Sequence, residues 1–151
     1  MKMVTSRAAR KSPVGRATRH VAIHDISVAF FHTVLGEGVW AKPPGELSCE
    51  GWLWWVVRAL YGMRESSKAF QDLVRTMFQD WAWMLIKTVP CLAYNPIMDS
   101  LCGFHGDDFY SEGEPHHLNQ VDRMIEQTFK AKKLSRVGPS AAEQDWCCAG
   151  C

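Results

Sequence analysis

From His20 to Val28 apolar and polar side chains alternate, with Val21, Ile23 and Asp25 on one side and Ala22, His24 and Ile26 on the other, which predicts a β-strand. Asp25 is the odd member, a carboxylate sharing a face with two apolar residues. An isolated acid is costly to bury, so this position calls for a partner or a metal. Residues 36–51 hold four Gly, two Pro and little periodicity, the composition of a long loop, and an apolar run rich in Trp and Val follows from Trp52 to Leu60. From Ser66 onward Phe70, Leu73, Val74, Met77, Phe78 and Trp81 fall at helical spacing, while Lys68, Gln71, Asp72, Arg75 and Gln79 face the other way. Ser66 or Ser67 is the expected N-cap of this helix.

Short apolar runs at Pro90–Tyr94 and Ser100–Phe104 predict two strands, and a third begins at Phe109-Tyr110 after the turn residues His105-Gly106-Asp107-Asp108. Beyond Gly113, Leu118, Val121, Met124, Ile125 and Phe129 trace a second amphipathic helix, with Pro115 in its first turn and Lys130, Lys132 and Lys133 expected at its C-terminal end. Periodicity fades from residue 135. The order strand, loop, helix, strands, helix suits an α+β fold with helices on one face of an antiparallel sheet.

Composition narrows the class. The chain has 151 residues, 47% apolar, and no apolar run near the length of a membrane span, so one ordinary domain without membrane contact is expected. Six Cys, unevenly placed and with no preceding apolar leader, argue for a reducing intracellular setting, cytoplasmic or nuclear. The net charge of +1 conceals an asymmetry, because residues 1–20 carry +6 and residues 21–151 carry −5. The basic leader reads as a disordered tail, a phosphate-touching arm or an organelle-targeting segment. Residues 21–138 form the expected folded domain, and residues 139–151 an irregular tail containing Trp146-Cys147-Cys148 and Cys151.

The chemical signal is the pair Asp107-Asp108 on a tight turn together with Asp25 on a separate strand. Adjacent carboxylates repel, so such a turn is favoured where a divalent cation neutralises it. With the strand of Asp25 beside the hairpin, three carboxylates can hold two Mg²⁺ ions roughly 3.5–4 Å apart. Solvated turn acids are the plain alternative.

The blocks Asp25-Ile26-Ser27-Val28-Ala29-Phe30-Phe31, Ala41-Lys42-Pro43-Pro44, Ala59-Leu60-Tyr61-Gly62-Met63-Arg64 through Lys68-Ala69-Phe70-Gln71, Pro90-Cys91-Leu92-Ala93-Tyr94, His105-Gly106-Asp107-Asp108-Phe109 and Phe129-Lys130-Ala131-Lys132-Lys133-Leu134 follow one another in this order. Together they make roughly residues 21–138 similar to the reverse transcriptase of copia-type retrotransposons. The resemblance implies a polymerase palm, an antiparallel sheet with a ferredoxin-like split βαβ core, and Mg²⁺-dependent, RNA-directed DNA synthesis on a template-primer from dNTPs. It implies that Asp25, Asp107 and Asp108 are the catalytic, metal-holding acids. By the same resemblance Phe30 falls at a gate against the ribose 2′-hydroxyl, with a core Phe as the alternative. Tyr61, Gly62 and Arg64 fall in the segment that positions template and nucleotide. Lys132 or Lys133 falls near a general acid for pyrophosphate, with cations closing a helix end as the alternative.

His105-Gly106 departs from the family's aromatic and apolar pair, which is expected to loosen the turn. Only 24 residues precede Asp25 and 43 follow Asp108, so fingers and thumb are expected to come from other segments of a retrotransposon polyprotein or to be lost, with little or no extension by the chain alone. Three other readings compete: an inactive remnant that at most binds nucleic acid, a palm-like nucleotide cyclase suggested by Gly106-Asp107-Asp108-Phe109, and a metal-binding protein using His105, His116, His117 and Cys148-Ala149-Gly150-Cys151. In the remnant reading Trp52, Trp54, Trp55, Trp81 and Trp83 are expected to be exposed.

Overall fold

The computed structural model describes residues 18–36 and 38–138. The basic residues up to Arg16 and the Cys-containing tail lie outside the described residues. Eight strands and two α-helices are formed among the described residues. They are β1 (His20–Ile26), β2 (Trp40–Ala41), β3 (Trp54–Trp55), α1 (Ser66–Asp80), β4 (Met84–Leu85), β5 (Leu92–Asn95), β6 (Ser100–His105), β7 (Asp108–Gly113), α2 (Pro115–Thr128) and β8 (Ala131–Val137). Six strands make one antiparallel sheet in the order β4-β5-β6-β7-β1-β8, and β2 and β3 pair separately. The fold is α+β.

Alternation along β1 divides the sheet into two unlike faces. Ala22, His24 and Ile26 are buried and point toward both helices, whereas Val21, Ile23 and Asp25 are half-buried on the opposite face. The core joins Ile26, Cys102, Phe104 and Phe109 from the sheet to Phe70, Val74, Met77 and Phe78 of α1 and Val121 and Ile125 of α2. Phe78 sits at its centre, with the rings of Trp83 and Phe104 each at 5.4 Å and that of Trp81 at 5.7 Å. Trp83 is thus core and Trp81 packs against it, so neither is the exposed aromatic expected of a remnant. A smaller cluster of Leu92 and Leu101, flanked by Val21, Tyr94 and Tyr110, covers part of the other face.

Several local expectations change. Ser66 is no cap: it lies inside the first turn of α1, its hydroxyl donating to the Leu60 carbonyl at 2.7 Å, and Glu65 precedes it without a capping side-chain bond. The long loop expected over residues 36–51 is paired at its start, where residues 33–35 and 39–41 meet residues 54–59, while residues 42–53 carry no strand pairing. Trp40 faces Trp55, Val34 bridges to Arg58, and the Ala59 amide donates to the Thr33 carbonyl at 3.0 Å. Glycines and prolines masked this pairing because they break the alternation that marks a strand. Trp52, Trp54 and Trp55 are exposed there, and an open cleft of about 470 Å³ is lined by Trp40, Gly51, Trp52 and Leu53.

Lys132 and Lys133 do not close a helix. α2 ends at Thr128 with no basic residue in its last turn, and both lysines belong to β8, an edge strand that the fading periodicity hid. Charged side chains on an edge oppose pairing with another chain, which suits this composition to this position. No helix among the described residues is long and apolar enough to cross a membrane.

Candidate active site

Strand pairing brings two of the three acids face to face. β1 runs antiparallel to β7 with Asp25 directly opposite Asp108, and antiparallel to β8 with Asp25 directly opposite Lys132. Residues opposite one another point to the same face, so Asp108, Asp25 and Lys132 form a row across three strands, on the face away from both helices. Asp107 joins through the backbone, its carbonyl accepting the Ile26 amide at 2.8 Å.

The turn that presents the acids has two residues, Gly106 and Asp107, between the paired His105 and Asp108. Gly106 has φ +60°, the left-handed value that a type II′ hairpin turn demands at its first position. Glycine is therefore a residue that fits this two-residue turn. Tyr110 stands two residues along on the same face and donates its hydroxyl to Asp108 Oδ2 at 3.2 Å. Partial burial and then the negative charge of Asp108 and Asp107 raise the Tyr110 phenol above its usual range, which keeps it a donor.

After β1 the chain turns sharply. Val28 is held at φ 50°, a left-handed conformation that a β-branched side chain rarely adopts and that costs about 1–3 kcal/mol. The turn swings Phe30 inward, where its ring lies 4.7 Å from Tyr61 and 6.1 Å from Phe70. Phe30 is thus half-buried at the edge of the core and in contact with Tyr61, which is exposed. Gly62 has φ +88° in the same loop, and Arg64 is exposed beside it. Phe30, Tyr61 and Gly62 therefore share one neighbourhood.

Lys133 is on the other side of the sheet from Lys132. It pairs with Asp122 of α2, as does Arg136, whose Nη2 donates to Asp122 Oδ2 at 2.7 Å. His24 Nε2 lies 3.0 Å from the other oxygen of Asp122, so this carboxylate ties β1, α2 and β8 together. Sequence reasoning missed this cluster. The fully buried titratable group of β1 is His24, and Asp25 escapes the burial expected of it.

Burial pushes the His24 pKa down, and the Asp122 charge only partly offsets this while Lys133 adds to it. Below about pH 6.5 the unfolded chain binds a proton that the folded chain resists, so stability falls with acidification. The expected result is a urea midpoint that declines from about pH 6.5 downward, with a shallower decline in the His24→Leu protein. An equal slope in both proteins assigns the acid sensitivity elsewhere.

Among the described residues, one group of three side chains brings metal-ligand atoms within 4.8 Å of one another, namely Glu114, His116 and His117. Asp25, Asp107 and Asp108 adjoin through the backbone without that convergence of carboxylates. Cys102 offers no nucleophile, since burial pushes its thiol up to about 12. No family model, curated protein or solved structure matches this chain.

Proposed function

We propose that this chain is the palm of a reverse transcriptase of the copia-type class, acting on a template-primer and dNTPs. The observation that carries the reading is the register of Asp25 against Asp108, with Asp107 in the turn between β6 and β7 and both helices on the far side of the sheet. The strand order β6-β7-β1-β8, with α1 leading from β1 toward the β6-β7 hairpin and α2 linking β7 to β8, supports a ferredoxin-like split βαβ core of the palm type.

The donor set suits magnesium. All three groups are hard carboxylate oxygens, and two of them are half-buried and directly opposite one another, like charges that Lys132 in the same row offsets in part and that a divalent cation would stabilise further. Asp25, Asp107 and Asp108 would hold the ions, which when bound activate a primer hydroxyl and neutralise charge on the departing pyrophosphate. Lys132, opposite Asp25, supplies positive charge at the edge of the same row and is better sited than Lys133 to serve the leaving group. Phe30 and Tyr61 form an aromatic wall near the end of β1, in keeping with a nucleotide-facing role, and Gly62 leaves room for close backbone approach.

The test separates metal binding from turnover. Mn²⁺ is expected to bind the full chain and to lose affinity by about tenfold or more in Asp25→Asn and Asp107→Asn, with circular dichroism unchanged. On primed RNA with Mg²⁺ and dNTPs, any extension by the wild-type chain is expected to disappear in Asp107→Asn. Mn²⁺ affinity indifferent to both substitutions would overturn the assignment of these acids.

A further inference from the structure

The sharp passage from β7 into α2 sets a second cluster of ligand groups apart from the acids. Glu114 precedes the helix, Pro115 opens it, and His116 and His117 follow at once, so three donor side chains emerge within four residues. Six residues separate Asp108 from Glu114, which at strand rise is about 20 Å. The cluster therefore belongs to the opposite end of the sheet from Asp25 and Asp107.

We propose that Glu114, His116 and His117 form a zinc-class metal site. Their ligand atoms lie within 4.8 Å of one another, and His116 Nδ1 is 3.6 Å from Glu114 Oε2. Tetrahedral zinc with bonds of about 2.0–2.1 Å needs ligand atoms about 3.4 Å apart, so the observed spacing closes on a metal with little movement. The two imidazole rings already stand with centroids 3.9 Å apart. A separate observation points the same way: His117 Nδ1 is shielded from solvent and has no hydrogen-bond partner, a cost that a structure ordinarily avoids.

Donor chemistry selects the ion. Two imidazoles and one carboxylate suit zinc and its neighbours, whereas magnesium takes oxygen ligands in an octahedron. The site thus discriminates against the ion expected at Asp25, Asp107 and Asp108 and does not depend on their role. Three protein ligands leave a fourth position for water or a group from another molecule. Because the ligands straddle the junction between β7 and α2, bound zinc clamps the helix to the strand that precedes it.

Zn²⁺ alone is the probe, titrated calorimetrically into the full chain at about pH 7.5, with exposed thiols alkylated under native conditions and Mg²⁺ in excess. One Zn²⁺ per chain is expected, with the melting temperature raised by about 5–10 °C at saturation. His116→Ala, at an exposed position, is expected to weaken binding by about tenfold or more while leaving the metal-free melting temperature unchanged. His105→Ala is expected to bind as the wild type does. Absence of Zn²⁺ binding, equal binding by His116→Ala, or loss in His105→Ala overturns the assignment.

Discussion

Phe78→Ala is expected to cost about 3–5 kcal/mol, a large part of the roughly 5–15 kcal/mol that holds an ordinary domain folded. Phe78 is fully buried, and four aromatic rings surround it, those of Trp81, Trp83, Phe104 and Phe109, the last at 6.2 Å. These rings come from the end of α1, the segment after it and both strands of the β6-β7 hairpin, so the cavity would open where helix and hairpin meet. Neighbouring aromatics are too large to collapse into the space, which puts the loss toward the upper part of the range. Phe78→Leu, which retains most of the volume, is expected to cost about 1–2 kcal/mol. Urea unfolding reads both changes as a lowered midpoint at constant slope. A loss under about 1 kcal/mol for Phe78→Ala would mean that this ring is not the centre of the core.

That core was legible because helices and alternating strands advertise themselves. The apolar positions of α1 and α2 recur at the helical period, and β1 alternates cleanly, so its two faces can be listed from the sequence. Alternation has no sign, however. It groups Asp25 with Val21 and Ile23 but does not say which group meets the helices, and the presence of two apolar neighbours suggested the wrong one. His24 is buried because Asp122, Lys133 and Arg136 form a polar pocket around that side of β1, and Asp122 comes from a helix almost a hundred residues on. No local pattern encodes such a contact.

The paired aromatics of β2 and β3 and the whole of β8 escaped notice for a different reason. Each lacks a buried face that would impose alternation: Trp54 and Trp55 are both exposed, and four consecutive residues of β8 are exposed at the sheet edge. Their strand character comes from hydrogen bonds to a neighbour, and that information resides in the neighbour. The register that brings Lys132 opposite Asp25 is of this kind. It includes a shift between Ile23 and His24, where Leu134 is extra, that no sequence period would disclose.

The second large effect is expected at the other end of the open face. Glu112 is fully buried in β7, and Arg19 reaches it from the residue preceding β1, its side chain only 10% exposed. Arg19 belongs to the basic stretch of residues 1–20, yet it is held in place by Glu112 and by Asp99, whose Oδ2 lies 2.9 Å from Nη1. Tyr94 completes the arrangement, donating its hydroxyl to Asp99 Oδ1 at 2.9 Å. Removing the cation leaves two carboxylates on one sheet face with less compensation, and breaking a buried pair typically costs about 3–5 kcal/mol. Because Asp99 is about one-third exposed and can recover solvent, Arg19→Met is expected near the lower end, about 3 kcal/mol. Glu112→Leu alone strands less charge, since Asp99 continues to neutralise Arg19. The double substitution Arg19→Met with Glu112→Leu removes both desolvated charges and is expected to restore about half or more of the loss, a positive coupling between neighbours. Additive losses in that double-mutant cycle would show that Arg19 and Glu112 do not stabilise the fold through one another.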